Sequence, residues 1–187
     1  MSDDRPTVTE FDQLPAPAAA ELLRACCASG RWITDVLAAR PFATLEVLSA
    51  GARAALDRLG WGDVLEALAA HPRIGQSVSG TDRESSWSRA EQASTATAAE
   101  DVRERLRAGN VAYEHKFGWV FLLCATGLSA EQMLGALQAR LPNSPAAEQD
   151  VVRAELGKIV ALRLAKAFTS DDPSRPSGPS RPEDLRA

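Results

Sequence analysis

A chain of 187 residues with a formal charge of −4 and a pI near 5.3 has room for one domain with a sizeable core and little room for two. The charge excludes the basic footprint of a nucleic-acid binder. No apolar run reaches the roughly 20 residues of a membrane span, and the opening MSDDRPTVTE lacks the parts of a secretory signal.

Three cysteines, Cys26, Cys27 and Cys124, make no disulfide framework. His71 and His115 stand in unrelated contexts with no metal-ligand spacing around them. The expectation is a cytoplasmic protein with reduced thiols, without a metal, a membrane anchor or a nucleic-acid partner.

Alanine and leucine dominate, β-branched runs are scarce, and glycine and proline fall between segments of helical period, so the fold class is all-α, a single-domain helical bundle. Residues 1–10 read as a flexible N-terminus, 11–169 as the helical domain and 170–187 as a disordered tail rich in proline and serine. The first helix follows Pro15 and Pro17, with Leu22, Leu23, Cys26 and Cys27 on one face, and stops around Ser29-Gly30. A short second helix carries Trp32, Val36 and Leu37 and stops before Pro41. A third opens at Thr44 and ends at Gly60, read as a C-terminal cap. The fourth starts with a capping-box-like pattern, Asp63 to Glu66, and runs into His71.

Beyond a loop over 72–85, Ser88 and Glu91 resemble another capping box, and the polar helix they open is expected to end at Gly109. Trp119 to Ala125 is apolar and fits a buried helix or a strand; buried helix is the reading taken. Ser129 with Gln132 opens a further helix ending at Leu141-Pro142, and Ser144-Pro145 opens the last, which runs to about Phe168.

Two positions stand out before any family is considered. His71 precedes Pro72, and a residue before proline is pushed out of the helical region, so the imidazole sits at a helix end. A protonated ring is favoured there by the helix dipole, which leaves a structural role as well as a chemical one open. On the last helix Val152, Leu156 and Ile159 recur at helical spacing, and the next step of four lands on Arg163. An arginine there either lays its methylenes along the rim of the core or points inward as a cation that must be paired. Glu91 is either the partner of Ser88 in a cap or an acceptor beside Gln92. His115, between Glu114 and Lys116, reads as a surface residue.

Taken together and in order, CCASGRW (26–32), RPF (40–42), HPRIG (71–75), SRAEQAS (88–94), NVAYEHKFGWVFLLCATG (110–127), RLPN (140–143) and KIVALRL (158–164) resemble the 2-oxo-4-hydroxy-4-carboxy-5-ureidoimidazoline (OHCU) decarboxylases. The likeness extends from Phe11 to Phe168. It departs from the pattern at Trp119-Val120, where many relatives have another aromatic and a proline, and in the Ser/Pro tail. It implies an all-helical homodimer that turns OHCU into (S)-allantoin and CO2 in urate breakdown, with no cofactor.

By motif position it implies catalytic roles for His71 as proton donor, for Glu91 and for Arg163, and substrate contacts from Pro72, Ser88, Gln92 and the segment Phe121, Leu122, Leu123, Cys124, Ala125. The substrate ring itself would hold the electrons released with CO2, and His71, near its ordinary pKa of about 6.5, would deliver the proton. A functional link to urate oxidase and 5-hydroxyisourate hydrolase follows, the hydrolase being expected as a separate protein because no transthyretin-like segment is visible here. The C-terminal Leu-Arg-Ala does not match a peroxisomal address. A helical interaction module without activity is the rival from another class, and the joint presence of His71, Glu91, Gln92 and Arg163 argues against it. A relative acting on another ureido or imidazoline acid is the rival within the family, with Trp119-Val120 its one hint.

Overall fold

In a computed structural model residues 5–74 and 100–169 are described. Among them the chain forms eight helices: α1 (Val8–Gln13), α2 (Ala16–Cys26), α3 (Gly30–Ala38), α4 (Leu45–Asp57), α5 (Trp61–Ala69), α6 (Glu100–Phe117), α7 (Ala130–Arg140) and α8 (Pro145–Ala167). The all-α expectation holds for the described residues, and none of these helices is long and apolar enough to cross a membrane.

Two cores organise them. The larger is built from α1 to α5 and α8, with α8 packed against α2 and α4. The smaller is built from α6 and α7 with Ile74, Phe121 and Ala125.

Most helix starts follow their capping chemistry. Thr44, Ser129 and Ser144 each accept from the backbone N–H three residues on, satisfying a donor the first helical turn leaves free. Four boundaries differ from the sequence reading. Residues 5–10 are packed: Thr7 and Glu10 form a capping box, Val8 and Phe11 are buried, and a parallel bridge joins Thr7 to Thr169. Gly60 is the N-cap of α5, its N–H donating to Asp63 at 2.9 Å, and the end of α4 falls at Arg58. Glu66 does not reach back within its own helix; it accepts from the Gly30 N–H at 3.1 Å. Finally, α6 runs through Gly109 to Phe117, and the bare Cα there faces Leu137 of α7, whose Cδ2 would lie 2.4 Å from an added Cβ.

The largest difference is at Trp119 to Ala125, expected as a buried helix. Gly118 takes a φ of 81°, a left-handed turn that ends α6, and the residues after it form neither helix nor strand. Buried backbone outside regular structure needs other partners. Side chains provide them: Arg140 donates to the Leu122 carbonyl at 2.7 Å and Glu155 accepts from the Cys124 N–H at 2.8 Å. The segment lies between the two cores, Leu122 in one and Phe121 and Ala125 in the other.

Arg140 is itself held by Glu148 at 2.5 Å and 2.8 Å, and the same carboxylate accepts from the Tyr113 hydroxyl and, at 2.7 Å, from Asn143. This pair is buried, so removing one partner strands the other. Arg140→Met is expected to cost about 3–5 kcal/mol of stability, read as a fall in Tm, whereas Arg140→Met with Glu148→Leu recovers part of it, the Leu122 carbonyl, the Tyr113 hydroxyl and Asn143 still lacking the partners the pair supplied. The part recovered measures the stranded charge.

Candidate active site

His71 closes α5. Its backbone N–H donates to the Leu68 carbonyl at 2.9 Å, and ring Nδ1 lies 2.9 Å from the Ala67 carbonyl. A carbonyl only accepts, so Nδ1 carries the hydrogen in that contact, and in the neutral ring Nε2 is left with its lone pair. The histidine thereby adds its donors to the Ala67 and Leu68 carbonyls at the helix end, which also accept from the Ala70 N–H, and Pro72 prevents the helix from continuing. The side chain is buried, and Nε2 has no hydrogen-bond partner among the described residues.

Arg163, four residues past Ile159 on α8, is fully buried, so the inward alternative describes it and the rim alternative does not. Its guanidinium acts on His71. Burial first, and the positive charge of Arg163 second, push the imidazole down to about 4, against a smaller opposite effect of the bond to Ala67. This corrects the expectation of a ring near its ordinary pKa and favoured in its charged form at the helix end: desolvation outweighs the dipole. At neutral pH His71 is an uncharged base with its lone pair on Nε2.

The shift has a consequence for stability. The folded pKa, about 4, is depressed below the ordinary 6.5, so between those values the unfolded chain binds more protons and stability rises with pH. This contribution is present above about pH 6.5 and is lost as pH falls toward 4; it amounts to roughly 3 kcal/mol. His71→Gln should flatten that part of a stability-versus-pH curve measured by urea unfolding.

The remaining candidates divide. Pro72 is half-buried beside the histidine. Phe121 and Ala125 share the smaller core with Ile74, three residues after His71. Leu122 shares the larger core with Leu68 and Leu164, which flank His71 and Arg163 in sequence. Leu123 and Cys124 are half-buried in the same segment. Arg163 thus stands within electrostatic reach of His71, and the 121–125 segment contributes to both cores. Ser88, Glu91 and Gln92 lie outside the described residues. His115 is exposed, as its neighbours suggested.

Trp119 stacks edge-on against Trp61 with ring centres 4.8 Å apart and donates to the Tyr113 hydroxyl at 3.3 Å, so it belongs to the wall behind the segment. The sequence reading missed Arg140, Glu148 and Glu155, which hold that wall. Among the described residues no three His, Cys, Asp or Glu side chains gather as metal ligands.

A family model described as OHCU decarboxylase matches residues 12–165. The chain belongs to the OHCU decarboxylase family. Among its relatives is the "Uric acid degradation bifunctional protein TTL" of Arabidopsis thaliana, 32% identical over 150 residues, a match covering 78% of this chain and 46% of that protein. The chain therefore spans less than half of that bifunctional relative. A "2-oxo-4-hydroxy-4-carboxy-5-ureidoimidazoline decarboxylase" of Haloferax volcanii is 27% identical over 143 residues, covering 75% of this chain and 83% of that one. The fold is shared with a solved structure described as "Crystal structure of OHCU decarboxylase in the presence of (S)-allantoin": TM-score 0.70, 32% identity, 80% of this chain and 97% of the other.

Proposed function

We propose that this chain decarboxylates OHCU to (S)-allantoin, with His71 as the proton-handling base and Arg163 as the anion-binding cation. The observation that carries this reading is the pairing of a buried, neutral imidazole, its Nε2 lone pair without a partner among the described residues, with a buried guanidinium close enough to depress its pKa. A cation in a low-dielectric site attracts a carboxylate substrate and opposes premature protonation of its neighbour.

The bond from the ring carbon to the carboxylate breaks, CO2 leaves, and the electron pair moves into the ring toward the nitrogen of its C=N group. An enediol-like intermediate remains. His71 Nε2 accepts the proton of the ring hydroxyl as that oxygen becomes a carbonyl, and returns it to the adjacent ring carbon from one face. Conversion of the carboxylate to CO2 consumes one proton from solvent, which ends on the ring nitrogen. An imidazolium formed in this dry setting is a strong acid, so the return step is downhill. Arg163 stabilises negative charge as it develops on the ring oxygen, and the backbone of 121–125, with Ser88, Glu91 and Gln92, orients the hydroxyl and ureido groups.

The family likeness supports extending the reading to a homodimer working in the cytoplasm on substrate made by urate oxidase and 5-hydroxyisourate hydrolase. The test is the rate of CO2 release from freshly generated OHCU. Release well above the spontaneous rate, proportional to added protein, supports the proposal; release at the spontaneous rate from folded protein contradicts it.

A further inference from the structure

His71 belongs by its helix to the larger core, yet the two residues that follow Pro72 are held by the smaller one. Arg73 forms a two-pronged ion pair with Glu114, Nε to Oε1 at 2.5 Å and the second prong to Oε2 at 2.7 Å. One turn earlier on the same face of α6, Asn110 donates from Nδ2 to the Ile74 carbonyl at 3.2 Å and to the Leu106 carbonyl at 2.9 Å. Ile74 is itself buried among Leu106, Tyr113 and Phe121. The ring hydrogen bond of His71 among the described residues, from Nδ1 to the Ala67 carbonyl, lies within its own helix and so fixes the imidazole relative to α5.

We propose that Asn110 and Glu114 are positioning residues that grip Arg73-Ile74 and so set where His71 stands relative to the 121–125 segment. The decarboxylase reading above is the basis for this assignment. A single proline separates the gripped pair from the histidine, and its ring fixes one of the two soft backbone angles there. A shift of the gripped residues therefore passes to the imidazole with little slack. Misplacing a reacting group by about 1 Å can cost 10²-fold in rate, while an ion pair that is partly exposed adds little to global stability. The two effects are separable.

The experiment measures amide hydrogen exchange over residues 70–74 in the full chain, together with kcat and KM, for wild type, Glu114→Ala, Glu114→Gln and Asn110→Ala. Glu114→Ala is expected to speed exchange in that stretch and lower kcat by roughly tenfold to a hundredfold, with KM within about twofold of wild type. Glu114→Gln, which keeps one acceptor oxygen, recovers part of both, and Asn110→Ala shows the same pattern as Glu114→Ala. Unchanged exchange over the stretch in Glu114→Ala overturns the proposal, and so does faster exchange with kcat at the wild-type value. Wild-type protein without decarboxylase activity would overturn the underlying reading and the proposal with it, and the wild-type control tells this apart from failure of the grip alone.

Discussion

Replacing His71 with glutamine is expected to lower kcat by about 10²- to 10⁴-fold and to leave the residual allantoin racemic, with the protein still folded. Glutamine fills much of the imidazole's space and can donate to the Ala67 carbonyl, but it cannot take up and return a proton. The pH dependence separates this account from one in which His71 acts as an ordinary surface-like acid. Activity of the free enzyme requires the neutral ring, whose pKa is pushed down to about 4, so the acid limb of kcat/KM lies near that value and not near 6.5. A wild-type acid limb centred on the ordinary histidine value would show that the ring is less buried, or less influenced by Arg163, than the structure has it.

Arg163→Met should reduce kcat/KM by about 10²- to 10³-fold, the range seen when one pre-aligned stabiliser of developing charge is removed. Methionine suits the space and removes the guanidinium charge. Arg163→Lys keeps the charge but loses the fork, and should fall between the two. The substitution carries a second signature, because the guanidinium is one of the two causes that depress His71. Its removal lets the imidazole pKa rise, moving the acid limb of the residual activity upward and reducing the stability lost between pH 6.5 and 4. Burial, the larger cause, stays, so the rise is partial. Wild-type kcat/KM in Arg163→Met would remove the arginine from the site.

Much of this arrangement is legible in the sequence because it follows from short-range rules. Thr44, Ser129 and Ser144 mark their helix starts correctly since an N-cap acts within three residues. The stripe through Val152, Leu156 and Ile159 points to Arg163 because a straight helix preserves its phase. Run toward the N-terminus, the same stripe reaches Glu148, four residues before Val152, and Glu155, one before Leu156, both of them buried. The helical spacing of α8 thus marks the wall-holding acids as well as Arg163. Thr7 and Glu10 likewise carry the box pattern applied elsewhere, in a stretch read as a flexible N-terminus.

Other features depend on distance in space and have no local mark. Trp119 to Ala125 fits a helix or a strand by its apolar run, whereas the side chains of Arg140 and Glu155, arriving from α7 and α8, satisfy backbone groups of an irregular buried course. Gly109 reads as a stop until Leu137 is known to pack on it. The pKa of His71 is lowered first by burial and second by Arg163, more than ninety positions away, and no window along the chain contains either cause. The helix-terminal placement of the histidine was accessible; its protonation state was not.

The central claim is that His71 returns a proton to one face of the ring intermediate, and stereochemistry tests it most directly, since protonation in an achiral medium gives both enantiomers. The measurement is circular dichroism of allantoin formed from OHCU generated in place, with wild-type protein, with His71→Gln and with no protein added. The account predicts a rapid signal of the S enantiomer with wild-type protein and, with His71→Gln, no signal above that of the protein-free reaction. S-allantoin formed by His71→Gln at the wild-type rate and optical purity would contradict it.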